Sequence, residues 1–189
     1  MSPPAVDLTH QRLSRAALEL FSSRGYHDTT TAQIAKKAGV AEGTIYRHFP
    51  SKQQLLNDIY RAALRWAAKT VEDSTGATPR ARLTTVALAL VEGAVRDPAV
   101  VKVGLLERHD ALLDDDSRRT AREFRMGIER AIAQGKADGS VRAGAVDVWA
   151  GVWLAAISYA LEKTVAKDWK TGDAGVGLVI EGAWASISA

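Results

Sequence analysis

The run Gly43-Thr44-Ile45-Tyr46-Arg47-His48-Phe49 alternates two kinds of chemistry within two helical turns. Ile45 and Phe49 are four apart, so on a helix they share one face and suit an anchor onto an apolar core. Thr44, Tyr46, Arg47 and His48 then project elsewhere and offer hydroxyls, a guanidinium and an imidazole. Such groups bond phosphate oxygens and base edges, which is the chemistry of duplex recognition. Gly43 lets a backbone come close to a phosphate, and Lys52 adds charge where helix-start amides also point. Tyr46 fits a second role at the edge of a small core, and the two roles are compatible.

Other chemistries find little support. The chain has no nucleophile elbow, phosphate loop, zinc pair or motif-spaced carboxylate pair, and its four histidines (10, 27, 48 and 109) are scattered. No enzyme activity and no cofactor are expected. His109, Asp110 and Asp114-Asp115-Asp116 have hard-ligand character, but they fall at a junction between helices, where aspartates cap and solubilise; no metal site is expected.

The elements that must position the run are helical. Thr31 is expected to cap a short helix with Ile34, Ala35 and Ala38 on its apolar side, and Gly39 to stop it. A second short helix starts near Glu42, behind Ala41. Two short helices joined by a glycine-containing turn have the outline of a helix-turn-helix. Lys36 and Lys37 lie on the solvated face of the first, from which Lys36 or Lys37 can reach a phosphate backbone; Lys36 is counted among the DNA-contacting residues. Helix 1, from about Thr9 to Arg24, carries the stripe Leu13, Ala16, Ala17, Leu20 and Phe21, and Gly25 ends it. Pro50 ends the recognition helix, and Ser51 with Gln54 is spaced as a capping box for a long helix from Lys52 to about Glu72.

The remainder reads as further helices, with no alternating strand pattern. Helices are expected from Pro79, from Asp97-Pro98 through Val100, Val101, Val103, Leu105 and Leu106, and from Ser117 to Ala137. The segments 146–163 and 174–188 are apolar nearly all round, which requires burial on both sides. A homodimer through these last two helices is the economical answer, with Val152, Ala156, Tyr159, Val179, Gly182, Ala183 and Ser186 at the interface. The expected fold is all-α, about nine helices, with residues 1–51 as a helix-turn-helix unit and 52–189 as a helical ligand-binding and dimerisation body. An apolar pocket is expected between helices 4 to 8, lined by Trp66, Leu90, Leu105, His109, Phe124, Ile128, Trp149 and Trp153, and suited to an apolar or aromatic small molecule.

Composition agrees with this division. Of 189 residues, 47% are apolar and 25% charged, and there are no cysteines, which excludes disulfides and fits a reducing compartment. Residues 1–65 hold nine Lys/Arg and five Asp/Glu, whereas the rest hold sixteen and seventeen, so the net charge of +3 sits at the front. A basic front on a neutral body suits nucleic-acid contact by the front alone. The first residues lack a signal-peptide pattern, and 146–160 is too short and interrupted to span a bilayer. A cytoplasmic protein without membrane contact is expected.

From Arg12 through Leu55 the order of residues resembles the tetracycline repressor family of bacterial transcription regulators. The resemblance rests on ALELFSSRGY, TTTAQIAKKAGVAEGTIYRHF and SKQQLL. It implies an Ω-shaped homodimer of nine-helix subunits in which helices 1–3 meet a palindromic operator. A small molecule in the body then releases the operator by changing the separation of the recognition helices. Carried over by position, the DNA-contacting residues are Thr31, Ala41, Gly43, Thr44, Tyr46, Arg47, His48 and Lys52. Ala41 departs from the family's pattern, since many members have a serine there as cap and phosphate contact. A protein-interaction module that keeps the outline without DNA affinity stays open; the salt dependence of DNA binding separates the two.

Overall fold

The computed structural model describes residues 5–189. Among them the chain forms nine α-helices, and its only β pairing is an isolated bridge between Val141 and Ser188. The helices are α1 (Ala5–Arg24), α2 (Thr31–Ala38), α3 (Glu42–His48), α4 (Lys52–Asp73), α5 (Pro79–Arg96), α6 (Pro98–Val101), α7 (Asp115–Ala137), α8 (Val146–Val165) and α9 (Ala174–Ile187). The all-α expectation holds, although α1 begins four residues before Thr9. The expected absence of a leader concerns in part residues 1–4, which lie outside the described residues.

Local chemistry sets most boundaries. The side chains of Ser51, Thr78, Asp97 and Asp114 each accept a first-turn amide and so cap α4, α5, α6 and α7. Asp114 thus starts α7 two residues ahead of the expected Ser117. The cap of α2 is Thr30, not Thr31: Thr30 Oγ1 accepts from Gln33 N at 3.2 Å, and Gln33 Oε1 accepts from Thr30 N at 2.9 Å, a reciprocal box. Gly39 closes α2 at φ 67°, a left-handed conformation in which its N–H reaches back to the carbonyls of Ala35 and Lys36.

Two apolar cores share the molecule. The smaller joins α1, α2 and α3 through Leu13, Phe21, Ile34, Ile45 and Phe49, and continues into Leu55, Leu56 and Ile59 of α4 and Val103. The larger fills the space between α4, α5, α7, α8 and α9, with Trp153 and Ile128 fully buried. The expected single helix after Asp97 is different: α6 is one turn, and residues Lys102–Leu106 continue it as a π-helix. Val101 joins the larger core and Val103 the smaller one, so this widened stretch serves both sides at once. Gly104 sits there because a Cβ would collide with that of Ala63 on α4.

On α8, Ala150, Trp153, Ile157, Ala160 and Leu161 point into the core, while Val148, Val152, Ala155 and Tyr159 form an exposed stripe at helical spacing. On α9, Val176, Ile180, Ala183 and Ile187 face inward, while Leu178 and Gly182 face outward. Ala183, expected at a dimer contact, is therefore a core residue of its own subunit. Val152, Tyr159 and Gly182 are exposed, and Ala156, Val179 and Ser186 are half-buried. No helix among the described residues is long and apolar enough to cross a membrane.

Candidate nucleic-acid interface

Ile45 and Phe49 are buried under α3, which fixes the opposite face outward. Tyr46, 55% exposed, and Arg47 stand on that face, and Thr44 and His48 flank it half-buried. Gly43 is exposed with nothing within 4 Å of where a side chain would begin, so a backbone can approach it freely. Ala41 occupies the N-cap of α3 in extended geometry without any side-chain cap. Its methyl leaves first-turn amides of α3 open to an outside acceptor. Glu42, also exposed, lies beside these amides.

Thr31 earns a different role from the one its place suggested. Its Oγ1 lies 3.1 Å from Tyr46 Oη, linking the start of α2 to the face of α3. Lys36 is exposed and has no ion pair among the described residues, whereas Lys37 Nζ lies 2.9 Å from Glu19 Oε2. The two neighbours are thereby separated into a free cation and a structural one. Hydrogen bonds from the Lys37 ammonium, then from the Arg15 guanidinium, hold the Glu19 carboxyl below its ordinary value.

Lys52 does not project from the surface as a phosphate contact would. Its Nζ donates to the carbonyls of Tyr26 and Thr29, both at 2.8 Å, and lies 4.3 Å from the centre of the Tyr26 ring. Burial lowers its pKa, with the nearby charge of Asp28 acting the other way. The ammonium clasps the α1–α2 loop to α4. Arg12 adds a second brace, donating to Gly39 O at 3.4 Å.

The expected pocket residues separate in the same manner. A cavity of about 540 Å³ lies between α1, α4, α5 and α6, and of the expected set Trp66 alone is on its wall. Leu90, Leu105 and Phe124 line a smaller void of about 120 Å³ with Leu154 and Leu161. Ile128 and Trp153 are packed core. Trp149 lies over the turn before α8, donating from Nε1 to Ala143 O at 3.3 Å. His109 is buried with Nε2 3.1 Å from Val103 O and 3.7 Å from Glu107, so its ring is committed within the subunit. Asp114 caps α7 and receives Arg61 at 2.9 Å, which accounts for that carboxylate as structure. Sequence reasoning missed Ser14 and Arg96 on the cavity wall; neither stands in a motif, and only the docking of α1 on the body brings them together.

Residues 13–59 match the sequence profile of the bacterial regulatory proteins of the tetR family. Over 51 residues the chain is 47% identical to the HTH-type transcriptional regulator SrpR of Pseudomonas putida, covering 27% of this chain and 24% of that protein. Over 119 residues it is 30% identical to the HTH-type transcriptional repressor KstR2 of Mycobacterium tuberculosis, covering 60% of this chain and 53% of that one. Matches to the first curated relatives span well under two thirds of those proteins' lengths. These relatives are regulators, not enzymes. The fold as a whole is similar to that of a TetR family transcription regulator from Marinobacter aquaeolei, with a TM-score of 0.82 at 19% identity over 96% of both chains.

Proposed function

We propose that this chain, which belongs to the tetR family of bacterial regulatory proteins, is a dimeric transcriptional repressor that leaves a palindromic operator when an apolar small molecule binds. Residues 1–51 act as the reader and 52–189 as the body that decides when reading occurs. One observation carries the proposal: Ile45 and Phe49 lock α3 from beneath, so that Tyr46 and Arg47 face outward with the half-buried Thr44 and His48 at their flanks, while Lys36 on α2 is exposed and has no ion pair among the described residues. Hydroxyls and cations on an exposed short helix suit the major groove, with the first-turn amides left for a phosphate.

The exposed stripe Val148–Val152–Ala155–Tyr159 on α8, with Leu178 on α9, supports pairing of two copies through these helices. Two readers related by that axis match half-sites about 34–36 Å apart, or a multiple of the helical turn. The reading includes action in the cytoplasm, where a bacterial regulator meets its operator; no helix among the described residues is long and apolar enough to cross a membrane.

The test is binding to duplexes from the chain's own upstream region over a range of salt. Affinity falls steeply with salt, and Arg47→Ala lowers the slope by about one. Tyr46→Ala weakens binding while leaving the fold intact. Weak binding to every duplex with no salt dependence overturns the proposal.

A further inference from the structure

The geometry points to the cavity between α1 and the body as a binding site for an apolar molecule that carries one carboxylate. At about 540 Å³ it is of the size that holds drug-sized ligands. Leu18, Ile59, Ala63, Trp66 and Val100 make the lining mainly apolar. Trp66 forms one wall because Gly93 on α5 has no side chain to displace its ring: a Cβ there would strike the indole.

The polar groups set the head group. Ser14 Oγ, on α1, is buried and has no hydrogen-bond partner among the described residues. A buried hydroxyl without a partner is uncommon, and an occupant that bonds it removes the cost. Four charges also line the cavity, and three are committed. Arg15 bonds Glu19 and Asp97, Asp97 also caps α6, and Asp58 lies 3.7 Å from both Arg61 and His10. Arg96 is exposed and has no ion pair among the described residues. The charge on offer is thus a guanidinium, whose planar fork matches a carboxylate. A cationic head would meet only carboxylates that already have partners.

The position has a consequence for control. Ser14 and Leu18 belong to the reader's first helix, whereas Trp66, Arg96 and Val100 belong to the body. An occupant therefore touches both parts at the joint spanned by the Arg15–Asp97 ion pair and by Lys102 Nζ, which donates to Ser22 O. The regulatory meaning rests on the effector-responsive reading above, but the site itself is tested without DNA.

Calorimetric titration of the full chain with decanoate, decanol and decylamine provides the test. Decanoate binds once per chain and at least about tenfold more tightly than decanol, the scale of one charge-assisted contact; decylamine binds most weakly. Ala62→Phe, at an exposed position on the cavity edge, blocks binding, with circular dichroism and the thermal transition confirming the fold. Arg96→Gln alters a side chain without an ion pair and brings decanoate down to the affinity of decanol, and Arg96→Lys restores part of the difference. Leu154→Trp, which fills the smaller void, leaves decanoate binding unchanged. The inference is overturned if decanoate does not bind, if decanol or decylamine binds as tightly as decanoate, if Arg96→Gln leaves decanoate binding unchanged, or if Leu154→Trp rather than Ala62→Phe removes binding. Such a failure leaves the reading of α3 standing, and flat duplex binding would leave this site standing.

Discussion

Ala41 illustrates how one missing hydroxyl alters a local balance. As N-cap of α3 it leaves first-turn amides without a side-chain partner, in a helix only seven residues long. Ala41→Ser supplies an acceptor and is expected to stabilise the protein by about 1 kcal/mol, raising the thermal midpoint by about 2–4 °C. Scanning calorimetry checks this; an unchanged or lower midpoint refutes it. The caps also show what was legible at this scale. Ser51 and Gln54 are readable as a box and form one half of it, Ser51 accepting from Gln54 N. Thr31 is the expected cap of α2, but Gln33 completes a reciprocal box with Thr30 instead. Thr31 is thereby free to bond Tyr46, a contact between separate helices that spacing alone does not reveal. The charges divide likewise: Lys36 and Lys37 look equivalent in sequence, and only the docking of α1 beside α2 gives Lys37 a carboxylate.

At the scale of elements, the reader is held by α1 and α4 rather than by its own two short helices. Lys52 is the clasp. Removing its ammonium with Lys52→Met leaves the carbonyls of Tyr26 and Thr29 without this donor and is expected to cost about 1–3 kcal/mol. The denaturant midpoint should fall with the slope unchanged; normal stability with weakened DNA binding would return Lys52 to the phosphate role. The α1–α2 contact is pH-sensitive through Glu19. Because its folded pKa lies below the ordinary 4.5, its stabilisation is present in full above that value and is lost as pH falls through the lowered one. Both partners are partly exposed, so the contribution is about 0.5 kcal/mol. Urea midpoints of wild type and Glu19→Gln should differ at pH 7 and converge in acid; a constant difference would refute the assignment. The order and nature of the helices were legible because apolar periodicity and caps are local. The π-helical stretch was not, since Val101 and Val103 answer to two different cores, and the main cavity was not, since its walls come from helices distant in sequence.

For the whole molecule, the exposed apolar surface is the feature that a lone subunit leaves unexplained. Sequence periodicity showed that α8 and α9 lack a polar face, and the fold divides that apolar surface into an inner and an outer half. Val148, Val152, Ala155 and Tyr159 lie on the outer half of α8, and Leu178, at 73% exposure, on that of α9. In a symmetric pair each of these residues meets the same patch of the other copy, so one substitution introduces two charges into one interface. Val152→Glu lies outside the subunit's own core and should leave the helix content unchanged while shifting the mass in sedimentation equilibrium from dimer to monomer. Leu178→Glu provides an independent second variant. Operator affinity should fall as the dimer is lost, because a lone reader loses the effective concentration that a linked second half-site supplies. A protein that stays dimeric with both substitutions would place the interface elsewhere, and a dimer whose operator binding was indifferent to mass would separate DNA reading from pairing.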